Sequence, residues 1–99
     1  MSNHLTVIAR LTAKPDQADA LGESLRQLIA PTLQEAGSLG YTLHRDNDDP
    51  AVWILYEAWA SRAALDAHFE QPYMQALFVR AADLLAKEVD MTFATVVSA

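Results

Sequence analysis

The sequence predicts an α+β domain in the order βαββαβ, and three observations carry that expectation. Three stretches alternate side-chain character with the period of a strand and a fourth is a short, nearly continuous apolar run, two longer regions place apolar residues three and four apart, and proline, glycine and aspartate punctuate the joins. Strands and helices in this order close most simply into an antiparallel sheet with the helices on one face, because right-handed crossovers put them there.

Residues 5–13 set Leu5, Val7, Ala9 and Leu11 against Thr6, Ile8, Arg10 and Thr12, the alternation of a first strand. Pro15 suits a first helical position, and Ala18, Leu21, Leu25, Leu28, Ile29, Leu33 and Ala36 form the apolar stripe of the helix that follows. Pro31 predicts a kink or short break in that helix, and Gly37 its stop. Residues 39–45 alternate again and run into the turn-forming Asp46-Asn47-Asp48-Asp49-Pro50. Residues 51–59, rich in Val, Trp, Ile, Leu and Tyr, read as a strand covered on both faces. Ser61 can cap a helix over 61–70, Pro72 can open a second over 72–88, and residues 91–97 alternate as a fourth strand. The whole is the ferredoxin-like arrangement.

If Leu5, Val7, Leu11, Trp53, Leu55 and Trp59 face the helices, the other sheet face shows Ile8, Val52, Ile54, Tyr56, Ala94 and Val96. So apolar a patch predicts a homodimer closed sheet face to sheet face, a dimeric α/β barrel.

At 99 residues, 52% hydrophobic and 20% charged, the chain has room for one core, so residues 1–99 are expected to be a single domain. No apolar run reaches the ~18–20 residues of a membrane span, and residues 1–13 lack the features of a secretory signal, which predicts a cytoplasmic protein with no membrane partner. Seven Lys and Arg against thirteen Asp and Glu, scattered rather than striped, argue against a nucleic-acid partner. Without cysteine there is no disulfide, thiolate metal site or cysteine nucleophile. His4, His44 and His68 stand far apart, so no metal is expected, and three glycines leave no phosphate-cradling loop.

The unusual segment is Glu57-Ala58-Trp59, with His68 and Tyr73 downstream. Glu57 shares a strand face with Leu55 and Trp59, which points a carboxylate at an apolar interior where it must be paired or raised in pKa. A salt bridge to an arginine or a capping role would satisfy it as well as proton transfer would. His68 sits among Leu65, Ala67 and Phe69 near a helix end, where its ring could face the cleft between helix and sheet or bond a backbone carbonyl. Trp53 reads as core and Trp59 as bordering the cleft, while Tyr41 and Tyr73 need partners for their hydroxyls.

These stretches carry a resemblance. Leu5-Thr6-Val7-Ile8-Ala9, Glu35-Ala36-Gly37-Ser38-Leu39-Gly40-Tyr41, Ile54-Leu55-Tyr56-Glu57-Ala58-Trp59 and Ala64-Leu65-Asp66-Ala67-His68-Phe69-Glu70-Gln71-Pro72 resemble, in order and spacing, the antibiotic biosynthesis monooxygenase family, including the quinol monooxygenases. The resemblance implies a homodimer with a small-molecule pocket in each subunit. It further implies oxidation of a small phenol or hydroquinone by molecular oxygen, with no cofactor. In that reading His68 is the general base or acid and Glu57 its polar partner or a second proton carrier, with Trp59 and Tyr41 forming the pocket wall. Tyr73 occupies the position where many relatives carry a second histidine, and a tyrosine there could hydrogen-bond an oxyanion. Residues 74–88 contain no histidine and no asparagine lies between Val7 and Leu11, which sets the chain apart from the haem-degrading branch; Leu55 replaces the asparagine of some antibiotic-tailoring members.

Two other functions fit the same residues. An acid–base isomerase of a small phosphorylated metabolite would use Glu57 and His68 but needs a cation from Arg62, Arg80, Lys87 or a partner chain. A non-catalytic ligand-binding dimer would need neither.

Overall fold

The expected elements form in the expected order in the computed structural model, which describes residues 4–98; residues 1–3 and 99, the ends of the expected domain, lie outside the described residues. They are strand β1 (Leu5–Thr12), helix α1 (Ala18–Leu33), strands β2 (Ser38–Arg45) and β3 (Val52–Trp59), helices α2 (Arg62–Phe69) and α3 (Pro72–Leu84), and strand β4 (Asp90–Thr95). Neighbouring strands pair antiparallel in the order β2-β3-β1-β4. The fold is the ferredoxin-like α+β arrangement, with an open sheet.

The strand alternation sorts the sheet faces as expected. Val7, Ala9 and Leu11 of β1 are buried on the helix side, beside Trp53, Leu55, Glu57 and Trp59 of β3. On the far side Tyr56 is half exposed and Ile8 and Ile54 are partly covered, whereas Val52, expected in the open patch, is already buried within the single chain. Helix α1 answers with Leu21, Leu25 and Leu28, and its Gly22 lies against the Trp53 ring. The Trp53 indole N–H donates to the Ala18 carbonyl at 2.9 Å, which satisfies the polar end of a buried ring.

The helix ends depart from expectation at three residues. Pro15 does not open α1: Asp16 takes a left-handed conformation (φ 68°), tolerated by aspartate, and the helix starts only at Ala18. Pro31 does not break α1, which runs through it to Leu33; it falls in the last turn, where the lost hydrogen bond and the ring's crowding favour the end of a helix. Nor is Gly37 the stop. The amides of Gln34 and Glu35 donate back to the carbonyls of Pro31 (3.1 Å) and Thr32 (3.0 Å), a tightened final turn that closes the helix before the glycine. Gly37 matters for another reason, since a Cβ there would lie 2.3 Å from that of Ala64 on α2.

Ser61 caps α2 as expected, its hydroxyl accepting from the Ala64 amide at 3.1 Å, and Pro72 opens α3 after the extended Gln71. Helix α3 stops at Leu84, short of residue 88, because the chain then joins the end of β1. Lys14 N–H donates to Leu84 O (2.9 Å) and Ala86 N–H to Thr12 O (2.8 Å). Strand β4 likewise ends at Thr95, before Val97. Helix α3 buries only Met74 and Leu84, near its two ends, so its middle stands off the sheet. That gap opens a cavity between α3 and the sheet.

Candidate active site

Beneath α3 lies a cavity of about 430 Å³, floored by the helix-facing side chains of β1 and β3 and roofed by residues such as Met74, Leu77, Phe78 and Ala81 of α3. Its walls are overwhelmingly apolar. The polar exceptions include His68, Glu57 and Tyr41, brought together by three separate elements, with Glu70 and Gln75 elsewhere in the lining.

Strand register explains one half of this cluster. Tyr41 of β2 and Glu57 of β3 are directly paired, so both side chains rise from the same sheet face as neighbours. Helix geometry explains the other. With Ser61 fixing its start, α2 turns Leu65 and His68 inward, and the imidazole packs on Trp59 (ring centroids 4.7 Å) and edge-on to Tyr41 (5.5 Å). His68 is 1% exposed and Glu57 3%.

The expected pairing of Glu57 with His68 is not the one that forms. Glu57 Oε1 accepts from the indole N–H of Trp59 at 2.9 Å, and His68 Nδ1 lies 2.7 Å from Oε2 of Glu35. The same Glu35 oxygen accepts from the Tyr73 hydroxyl. Glu35 is the residue that reasoning from strand and helix patterns passed over. It sits one position beyond the cap of α1, in a turn that reads as a connector, and nothing local marks its side chain as inward. The single available signal was that it opens the stretch Glu35–Tyr41 on which the family resemblance partly rests.

Trp59, expected at the pocket wall, and Tyr73, expected within hydrogen-bond reach of a bound oxyanion, both stand behind the cavity lining. Trp59 is fully buried, holding Glu57 and backing the His68 ring; Tyr73 reaches Glu35 from the first turn of α3. Tyr41 does line the cavity, and its buried hydroxyl has no hydrogen-bond partner among the described residues.

Burial governs the protonation of this cluster. It pushes the Glu57 carboxyl up to about 7, against the Trp59 hydrogen bond and with help from the nearby Glu35 charge. Burial also raises the Tyr41 hydroxyl far above the usual tyrosine range, reinforced by Glu57, and raises Tyr73 to about 12, reinforced by its bond to Glu35. Both tyrosines are hydrogen-bond donors at neutral pH. Among the described residues, no group of three or more His, Cys, Asp and Glu could hold a metal ion, and no helix is long and apolar enough to cross a membrane.

The sequence model of a family described as antibiotic biosynthesis monooxygenase matches residues 4–80. Among solved structures, that of PA3566 from Pseudomonas aeruginosa superposes with a TM-score of 0.93 at 36% identity, covering 99% of this chain and 98% of that one. The structure of Rv0793 from Mycobacterium tuberculosis superposes with a TM-score of 0.90 at 31% identity, covering 97% of each chain. In sequence, Rv0793, which bears the name "Putative monooxygenase", is 34% identical over 92 residues, 93% of this chain and 90% of its own length. A Synechocystis protein, sll1783, is 30% identical over 87 residues, which are 88% of this chain but only 59% of that longer protein.

Proposed function

The chain belongs to the antibiotic biosynthesis monooxygenase family, and on that premise we propose that it is a cofactor-independent monooxygenase that oxidises a small phenol or hydroquinone with molecular oxygen. The observation that supports this most is the composition of the cavity: an apolar chamber with one polar end, where a buried histidine and a buried carboxyl converge beside a tyrosine hydroxyl that has no partner among the described residues. The apolar walls suit an aromatic ring. The polar end suits its hydroxyl.

His68 Nε2 takes the hydroxyl proton, which makes the ring electron-rich enough to reduce oxygen directly. One oxygen atom bonds to a ring carbon; the O–O bond then breaks as that carbon loses its hydrogen, and the second atom leaves as water. A phenol and O₂ thus give a quinone and water, the substrate supplying all four electrons. Tyr41 donates to the developing oxyanion, and Glu57, carrying a proton near neutrality, supplies it to the departing oxygen. The apolar walls limit the water that reaches the activated ring.

The phosphorylated-metabolite reading loses support here, since the cavity lining contains no lysine or arginine. Arg62, one of the cations that reading needed, stacks over Phe93 at 4.6 Å and pairs with Asp66. The sheet face carrying Ile8, Ile54 and Tyr56 is proposed as the homodimer interface.

Oxygen uptake with a panel of one-, two- and three-ring phenols and hydroquinones tests the proposal. Uptake above that of a His68→Gln variant, with ¹⁸O from labelled oxygen in the product and no added cofactor, is expected. A product of unchanged mass would indicate isomerisation, and binding without turnover would reduce the protein to a ligand carrier.

A further inference from the structure

We propose that Glu35 is the positioning residue of this site: its carboxylate fixes the ring proton of His68 on Nδ1 and leaves Nε2 as the proton acceptor that meets a molecule in the cavity. This deepens the function proposed above and rests on it for the catalytic consequence, though not for the structural one.

A neutral imidazole carries one proton and can hold it on either nitrogen, so a histidine serves as a base at a given spot only if the other nitrogen is committed. Here Nδ1 lies 2.7 Å from a carboxylate oxygen, at a site where the histidine is 1% exposed and the glutamate side chain 10%. A lone pair on Nδ1 would face that oxygen's own lone pairs in a poorly screened setting, whereas an N–H there makes a charge-assisted bond. The arrangement therefore favours Nδ1–H. His68 lines the cavity and Glu35 does not, so with Nδ1 committed to Glu35 the nitrogen left for a molecule in the chamber is Nε2.

Glu35 is itself held from several directions. Its amide donates to Thr32 O at 3.0 Å and its carbonyl accepts from the Ser38 amide at 3.1 Å, so the tightened end of α1 and the start of β2 fix its backbone. Its side-chain Oε2 also accepts from Tyr73, the second residue of α3. One carboxylate oxygen thus ties α2 and α3 to the α1–β2 turn. Tyr73 is the second donor that anchors Glu35, not a group that meets substrate.

The experiment reads the tautomer directly. In long-range ¹H–¹⁵N correlation spectra of the ¹⁵N-labelled full chain, taken well above the ordinary histidine pKa of about 6.5 and assigned by loss of the signals in His68→Gln, wild-type His68 is expected to show a protonated Nδ1 and an unprotonated Nε2. The opposite pattern overturns the proposal without any variant at Glu35. Tyr73→Phe should retain the wild-type tautomer, and a folded Glu35→Leu should lose it; persistence of Nδ1–H in Glu35→Leu also overturns the proposal. For a substrate found by oxygen uptake, Glu35→Leu should lower kcat by roughly the 10²–10⁴-fold worth of a general base, with KM changed only a few-fold. A flipped tautomer with an unchanged kcat removes the catalytic half of the proposal. Failure to find any oxygen-consuming substrate counts against the monooxygenase reading and leaves the tautomer result to decide the role of Glu35.

Discussion

The indole N–H of Trp59 donates to Oε1 of Glu57 at 2.9 Å, two residues apart on the same face of one strand, so a tryptophan and the carboxyl it holds enter the core together. The bond answers one of the carboxylate's several acceptor positions, which is why burial still dominates and the carboxyl sits near 7 rather than near the ordinary 4.5.

That relationship makes stability depend on pH with a definite sign. Below about 4.5 Glu57 is neutral whether the chain is folded or not; between 4.5 and about 7 the unfolded chain releases the proton more readily, so stability falls as pH rises, and above about 7 the loss is complete. A displacement of this size corresponds to about 3 kcal/mol, taken as an order of magnitude. Glu57→Gln keeps an oxygen for the Trp59 N–H and cannot ionise. It should match the wild type near pH 4.5 and exceed it by up to that amount at pH 8, in urea unfolding followed at both pH values. Wild-type and variant stabilities that run parallel across this window would mean that Glu57 is solvated.

Gly22 supplies a prediction whose sign runs against helix propensity. In the middle of an exposed helix, Gly→Ala stabilises by roughly 0.5–1 kcal/mol. At Gly22 a Cβ would lie 2.3 Å from Cζ2 of Trp53, an indole already fixed by its bond to Ala18 O. Overpacking of this kind costs about 1–3 kcal/mol, so Gly22→Ala should lower Tm by several degrees in a domain of this size. An unchanged or higher Tm would show that α1 can slide off the ring.

The fold was largely legible because its signals are local. Alternation fixes which residues of β1 and β3 face the helices, and Ser61 and Pro72 mark the starts of α2 and α3 within one element each. Pro15, Pro31 and Gly37 misled for a common reason: each residue is compatible with several backbone roles, and neighbours such as Asp16 and the tightened turn at Gln34–Glu35 chose among them. The site was half legible. Glu57 and His68 stand out as polar groups on apolar faces, but the partner of His68 is 33 residues away in a turn. No periodicity reports such a contact. The position of Trp59 was unreadable for a related reason, since one strand face holds both the residues that floor the cavity and those beneath the α2 layer.

The proposed dimer rests on the open sheet face, where Tyr56 is 50% and Val96 42% exposed and Ile8 and Ile54 are partly so. Fully burying such side chains is worth about 1.5–3 kcal/mol each, enough for a few of them to hold two protomers together. Ile54→Lys would place an ammonium in the middle of that contact. Sedimentation is expected to find a dimer for the wild type and a monomer for Ile54→Lys. An Ile54→Lys variant that still sediments as a dimer would move the interface to another surface, such as the exposed edge of β4.

As the base, His68 has a large proton-transfer task. A phenol hydroxyl ionises near pH 10, as tyrosine does, so at neutral pH about one molecule in a thousand is in the reactive form. A base within hydrogen-bond reach raises that fraction in the transition state and contributes typically 10²–10⁴-fold. Because the imidazole is buried against Trp59 and Tyr41, removing it entirely would confound lost chemistry with lost packing, and His68→Gln is the better probe since it fills much of the same volume. The amide cannot take a proton at neutral pH. Turnover of the best phenol or hydroquinone should therefore fall by 10²–10⁴-fold, while the Tm changes by only a few degrees. Raising the pH toward 10 should close much of the gap, since the substrate then arrives already ionised and the base is no longer needed. A variant with the wild-type rate at neutral pH would leave His68 as a packing residue and shift proton removal to Glu57, the buried carboxyl in the cavity lining whose pKa burial raises to about 7.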